Sequence, residues 1–152
     1  MKYDDDILNG LVCPKCHVRS VIKEYDNEPK RRRVCEKCGA FVGCHPGTER
    51  AMGILATPST RSLRKIAHGW FDSIWRNKLK RSRYNAYSWL SLRLNMNKND
   101  VHIGMFEEAE CRKVIIISAS YIKKKNPELY DTLKEKYGDP DSMCNSYEDW
   151  TI

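Results

Sequence analysis

Two Cys-x-x-Cys pairs, "CPKC" at residues 13–16 and "CEKC" at 35–38, constrain this 152-residue chain more than any other feature. A tight turn of this kind turns both of its thiolates toward one metal ion. Two such knuckles, brought together by intervening strands, complete a tetrahedron of soft ligands that favours zinc. The spacing Cys13-x2-Cys16-x18-Cys35-x2-Cys38 is that of a structural zinc ribbon. The cofactor expected is therefore structural Zn2+, standing in for a core that a segment of about thirty residues cannot build. Four thiolates with Zn2+ carry a net −2, which lowers the formal charge from +7 to about +5. Such a site has no open position for water, so hydrolytic zinc chemistry is not expected of it.

The stretch "CEKCGAFVGCHPGT" (35–48) adds Cys44 and His45 as alternative ligands. A compact set of Cys35, Cys38, Cys44 and His45 leaves Cys13, Cys16 and His17 incomplete, and either Cys44 or His45 could instead replace one member of the four-cysteine set. The bland reading makes Cys44 a small buried residue on a strand and His45 a surface or capping hydrogen bonder before a turn. Seven cysteines in a reducing compartment are read for metal rather than as a disulfide framework. That compartment is the default because residues 1–12, "MKYDDDILNGLV", are acidic where a signal peptide is basic, and no apolar run is long enough to cross a membrane.

The expected fold class is α+β: an N-terminal four-cysteine zinc ribbon with a small antiparallel sheet, then a compact unit of three to four helices. Between the knuckles, two short strands flank a turn at Asp26–Pro29, with a third strand over Ala40–Cys44. Residues 1–48 read as the ribbon, 49–60 as a linker, 61–125 as a helical unit, and 126–152 as a C-terminal helix and acidic tail, the whole forming one compact unit. Leu63, Ile66, Ala67, Trp70, Phe71, Ile74 and Trp75 give the clearest helical period, starting near Thr60. A second helix follows Ser82, with Ala86, Tyr87, Leu90 and Leu94 on its stripe. A third runs from Glu107 to Lys125, its acids first and lysines last as a helix dipole favours. The β-branched run Val114–Ile117 could form a strand instead, and the flanking charges decide for helix. Asn126-Pro127 opens a short helix that Gly138 and Pro140 stop.

Charge is concentrated in the middle of the chain. Residues 51–99 hold ten Lys and Arg against one acid, whereas 100–152 hold seven against eleven. That asymmetry points to an anionic partner for the middle third. The candidate phosphate contacts are Lys30, Arg31, Arg32 and Arg33 before the second knuckle, then Arg64, Lys65, Arg76, Lys78, Lys80, Arg81 and Arg83. Tyr84, Tyr87 and Trp89, beside the basic segment, are candidates for stacking on exposed bases, though such aromatics commonly pack a small core.

The blocks "CEKCGAFVGCHPGT", "RKIAHGWFDSIW" and "AYSWLSLRLNMNKNDVHIGMFEEAECRKV" resemble a family of small phage and prophage proteins described as zinc-finger-containing and lacking an assigned activity. The resemblance covers roughly residues 13–115. It implies a zinc ribbon followed by a small helical unit, supports the metal role of the matching Cys-x-x-Cys positions, and places Cys44, His45, His68 and His102 inside signature blocks. The run "KRRR" (30–33) and the tail after about residue 120 depart from the pattern.

Three functions compete. The first is non-catalytic nucleic-acid binding through the basic segments. The second is a protein-interaction module that docks on a host protein or complex and inhibits or redirects it, with the acidic last third as the contact surface. Either would act in the cytoplasm of a bacterial host, without a membrane. The third is a metal- or His-dependent nuclease-like enzyme. His68 and Asp72 share a helical face and Asp100 and His102 flank a loop, but no nucleophile motif or phosphate-cradling glycine loop accompanies them. No catalytic residues are assigned, and the chain is expected not to be an enzyme.

Overall fold

The hairpin expected between the cysteine pairs forms, and a third strand extends it. A computed structural model describes residues 3–143, so the end of the expected acidic tail lies outside the described residues. β1 (Val21–Glu24), β2 (Arg31–Val34) and β3 (Phe41–Gly43) make an antiparallel sheet in that order. Val21 pairs with Val34 and Glu24 with Arg31, while Val34 also faces Phe41 and Arg32 faces Gly43. The third strand is shorter than the expected Ala40–Cys44: the Ala40 carbonyl accepts from the Cys35 N–H at 2.8 Å, and Cys44, whose N–H still donates to Arg31 O at 2.9 Å, forms a separate bridge to Ala51. Ahead of the sheet, α1 (Asp5–Leu8) is a single turn capped by Asp4, whose carboxylate accepts from the Ile7 N–H at 3.0 Å.

The chain divides into two compact units, 1–61 and 62–152, where the sequence suggests one. Each has its own core. In the first, Cys13, Cys35, Ala40, Val42 and Leu55 are buried together, with Cys16, Cys38 and Ala51 packed against them. Four of these eight are the paired cysteines, so the sheet has little apolar mass of its own to hold it together. Residues 49–60, expected as a linker, contribute to this core: Ile54, Leu55 and Ala56 are buried, and Ala56 bridges back to Phe41. Arg61 donates to the Phe41 carbonyl and lies over the Phe41 ring at 4.2 Å.

α2 (Pro58–Arg76) begins two residues before the expected start. Its predicted stripe is the buried face, since Ala67, Trp70, Phe71 and Ile74 are fully buried and Leu63, Ile66 and Trp75 partly so. α3 (Arg83–Leu94) is capped by Ser82, which accepts from the Asn85 N–H at 3.1 Å, and ends at Asn95 in the left-handed region. α4 (Glu108–Lys125) settles the ambiguity of the Val-Ile run as helix. Glu110 reaches back to the Glu107 N–H at 3.1 Å, and three lysines close the last turn. Cys111, residues 114–119 and Ile122 are all buried, so α4 is the most enclosed helix and its β-branched residues are held by packing rather than propensity. α5 (Pro127–Tyr137) is capped by Asn126, which accepts from the Leu129 N–H at 3.1 Å. Trp70 is buried against the rings of Tyr130 and Tyr137 at 5.6 and 6.4 Å.

Arg64 is part of this second core rather than of the surface. It is 9% exposed and its Nε donates to the Phe106 carbonyl at 2.8 Å, just ahead of α4. The Cys111 thiol, 3.9 Å from that oxygen, is at best a weak second donor. Arg64→Met keeps the aliphatic stem and removes the donor, which should cost about 1–3 kcal/mol for the orphaned carbonyl. Thermal unfolding is expected to shift down by several degrees, with any nucleic-acid affinity of the folded protein unchanged. An unaltered melting temperature would return Arg64 to the surface inventory.

Candidate metal centre

Both knuckles are built by the same backbone pattern. In the first, the Cys13 N–H donates to Val18 O and the His17 N–H to Cys13 O, each at 2.9 Å. In the second, the Cys35 N–H donates to Ala40 O and the Gly39 N–H to Cys35 O, each at 2.8 Å. The residue just after each second cysteine must then adopt a left-handed backbone: φ is 80° at Gly39 and 56° at His17. Glycine takes that conformation freely, whereas histidine pays for it in steric strain. His17 therefore serves the turn, and it lies outside the cluster of sulfurs.

The sulfurs of Cys13, Cys16, Cys35 and Cys38 all lie within 4.8 Å of one another. Zinc–sulfur bonds of about 2.3 Å in a tetrahedron place the sulfurs about 3.8 Å apart, and the Cys13 and Cys38 Sγ atoms are 3.7 Å apart. The geometry fits a tetrathiolate metal site. Cys13 and Cys35 face the core, while Cys16 and Cys38 are half-buried.

Without a cation, the cluster resists ionising. Burial pushes the Cys13 thiol up, and Cys16 is driven to about 12 by desolvation and by the neighbouring Cys38 and Cys35 sulfurs. Cys35 goes the other way: burial opposes its ionisation, but the N–H groups of Cys38 and Lys37, with the Cys38 and Cys13 thiols, outweigh it and bring it down. A divalent ion reverses the balance by neutralising the thiolates it binds and releasing their protons. Among the described residues this is the sole cluster with metal-ligand geometry.

Cys44 and His45 are not members of it. Cys44 is 4% exposed, its N–H donates to Arg31 O at 2.9 Å, and burial raises its thiol pKa against the nearby Arg33 and Arg31. It is the small buried residue at the end of a strand. His45 is exposed and opens a turn in which its N–H reaches Arg50 O at 2.9 Å and Thr48 Oγ1 donates to its carbonyl at 2.8 Å.

The basic candidates separate into two groups. Within "KRRR", Lys30 is exposed, but all three arginines are engaged within the ribbon. Arg31 Nε meets Glu24 Oε1 at 2.6 Å, Arg33 Nε donates to Glu49 O at 2.8 Å, and Arg32 Nε donates to Pro29 O at 2.8 Å with its guanidinium over the Tyr25 ring. Lys65, near the start of α2, is exposed, and around the α2–α3 junction Arg76, Lys78, Arg81 and Arg83 are exposed too, with Arg76 only 3.9 Å from Asp72. Lys80 is half-buried over Trp89 and Tyr121. Of the three aromatics proposed for stacking, Tyr87 packs on Phe71 and Trp89 on Tyr121, while Tyr84 is 71% exposed. His68 Nδ1 lies 3.9 Å from Asp72 Oδ2, a carboxylate that also takes the Trp75 indole N–H at 3.0 Å. His102 is exposed, and its N–H bonds to Asp100 O at 3.1 Å.

Cys16→Ser removes a ligand that the other three sulfurs cannot replace. Metal analysis of the purified protein should fall from about one ion per chain to near none, and amide protection should be lost over residues 13–44 but not over α4. His17→Gly should retain the metal in full. A metal-loaded Cys16→Ser protein, or a metal-free His17→Gly one, would overturn the ligand set.

No curated protein and no solved structure matches the chain. A family model described as a zinc-finger-containing domain matches residues 12–121, a span that takes in both knuckles, the sheet, α2, α3 and most of α4. The four clustered sulfurs and that match lead to one conclusion: the chain belongs to the zinc-finger-containing domain family.

Proposed function

We propose that the protein is a nucleic-acid-binding protein without catalysis of its own, whose first unit is held by structural zinc. The observation that carries this reading is the α2–α3 junction. Arg76, Lys78, Arg81 and Arg83 stand exposed within eight residues, and Asp72 is the sole acid of residues 51–99. A solvated cluster of this density, in which Asp72 stands beside Arg76 alone at 3.9 Å, suits the polyanionic backbone of a nucleic acid. Positive φ at Lys78 and the Leu79 N–H bond to Ile74 O at 2.8 Å hold the turn in one shape. The cations are thus presented on an ordered backbone rather than a loose tail.

Zinc is the metal this donor set favours, because four thiolates in a tetrahedron suit a soft-tolerant d10 ion with no geometric preference of its own. Saturated by cysteine, it offers no position for a water nucleophile, so its contribution is to folding. The ribbon's arginines, tied to Glu24, Glu49 and Tyr25, support the sheet and are not assigned to the nucleic acid.

The test is the salt dependence of binding to duplex and single-stranded oligonucleotides of unrelated sequence. Affinity should fall steeply with salt and vary little with sequence. Replacing Arg76, Lys78 and Arg81 together by Gln should flatten the log–log slope by about 0.7–0.9 for each phosphate no longer neutralised, with little change in melting temperature, because all three side chains are exposed and the surface pair of Arg76 with Asp72 is worth at most about 1 kcal/mol. A flat salt response, together with one host protein retained after nuclease treatment, would replace this reading with that of a protein-docking module.

A further inference from the structure

A cleft of about 600 Å³ opens beside the N-terminus of α3, in the size range of small-ligand sites. Arg83, Tyr84 and Tyr87 line it from the helix, and Lys98, Asn99 and His102 from the segment that follows. Every lining residue lies in the second unit, and none is acidic. The first turn of α3 likewise contains no acid, so the positive end of the helix dipole is uncompensated there.

Two observations on this cleft have no counterpart in the folding of the helices. The first is Lys98. Its ammonium is buried 2.9 Å from the Tyr84 ring centroid and has no hydrogen-bond partner among the described residues. An ammonium withdrawn from water without an acceptor is costly, and a ring face compensates only part of that cost. The second is Tyr84 itself, 71% exposed although large and aromatic, while its neighbour Tyr87 is fixed edge-on to Phe71 at 4.7 Å. Arg83 stands over the Tyr87 ring at 4.8 Å, so its guanidinium is held at the cleft wall rather than swinging free.

From this arrangement we infer that the cleft binds a nucleotide unit, with the base stacked on Tyr84 and the phosphate between Arg83 and Lys98. The pairing of an exposed aromatic ring, one face of which carries the Lys98 ammonium, with two cations and no lining carboxylate selects a ligand that is both planar and anionic. An inorganic anion would leave Tyr84 unused, and a neutral aromatic would leave Lys98 unpaired. The hydroxyl, amide and imidazole groups of Tyr87, Asn99 and His102 supply hydrogen-bonding edges beside the base. The unit can come from a free nucleotide or from one position of a single strand. In the single-strand form the inference rests on the proposed nucleic-acid function, and in the free form it does not.

The test uses the full-length, metal-loaded protein and three probes: thymidine 5′-monophosphate, ribose 5-phosphate, and an oligonucleotide of about eight thymidines. The prediction is that Tyr84→Ala weakens binding of the thymidine probes about tenfold, within the range for losing one base stack. Tyr84→Phe should restore it, since stacking needs the ring and not the hydroxyl. Lys98→Met should weaken the phosphate-bearing probes and lower the single-strand salt slope by about 0.7. Ribose 5-phosphate should bind more weakly than the nucleotide and ignore Tyr84. If the oligonucleotide binds but neither Tyr84→Ala nor Lys98→Met affects it, the cleft assignment is overturned while the α2–α3 junction keeps its role. If the monophosphate binds in a Tyr84-dependent way and the oligonucleotide does not, the cleft stands for a free nucleotide and single-strand binding falls. Failure of wild-type protein to bind either thymidine probe would overturn the cleft assignment, and failure to bind a duplex as well would overturn the nucleic-acid function.

Discussion

Four sulfurs gathered within 4.8 Å of one another are the constraint on which the first unit depends. Its apolar contribution is modest, with Ala40, Val42 and Leu55 buried beside the cysteines and Ile7, Val34, Ile54 and Ala56 buried elsewhere in the unit. Ordering some sixty residues costs of the order of 1 kcal/mol or more per residue, and those side chains cannot offset that. Backbone hydrogen bonds and the unit's other contacts carry most of that cost, and a divalent ion tips the balance, because binding four thiolates returns of the order of 10 kcal/mol, comparable to the whole net stability of a small domain. The rest of the unit is arranged to deliver the sulfurs. Each knuckle closes on itself by two backbone bonds, and the sheet sets the distance between the knuckles through the pairing of Val21 with Val34.

That dependence explains how the arginine-rich strand is used. A short sheet over a metal has faces that apolar side chains do not fully cover, and β2, its central strand, supplies long cationic ones instead. Arg32 lies over Tyr25 at 4.1 Å and over Phe41 at 5.2 Å, while Arg61 lies over the same Phe41 ring at 4.2 Å. Arg31 and Arg33, on alternate positions of the strand, reach Glu24 and the Glu49 carbonyl. Guanidinium stems and faces cover the aromatic surface while their heads remain hydrogen-bonded. As a string of letters, "KRRR" looks like an anion-binding run; on a strand, each arginine has a local partner.

The same contrast marks what could be read from the sequence. Ligand spacing, the hairpin between the knuckles, the α2 stripe and the Ser82 and Asn126 caps were legible because each depends on residues close in the chain or on a strict period. The fate of a charged or aromatic side chain was not, because it depends on what lies opposite. Arg64 and Arg76 sit twelve residues apart on one helix; one is buried against Phe106 O and the other faces solvent. Tyr84, Tyr87 and Trp89 are near neighbours, yet only Tyr84 lacks a ring packed beneath it. Residues 49–60 resembled a linker through their Gly, Pro, Thr and Ser, and the buried Ile54-Leu55-Ala56 among them is too short to show a period. His17, which one alternative ligand set left over beside Cys13 and Cys16, stands in the left-handed turn that closes the first knuckle, a backbone angle that no spacing shows.

Lys98 shows the contrast most sharply. In the sequence it belongs to "NKND", four polar residues whose evident role is to stop a helix, and it does sit in a single tight turn after α3. Nothing in that role requires a buried ammonium against an exposed tyrosine. Capping is accomplished by the Asn97 side chain, which accepts from the Asn99 N–H at 3.0 Å, and by the left-handed Asn95. A residue whose local job is done by its neighbours, and whose charge is nevertheless withdrawn from water, is held there by something other than chain reversal. The Arg83 guanidinium, the acid-free first turn of α3 and the open face of Tyr84 all converge on the same cleft, and an anion carrying a flat ring satisfies them together.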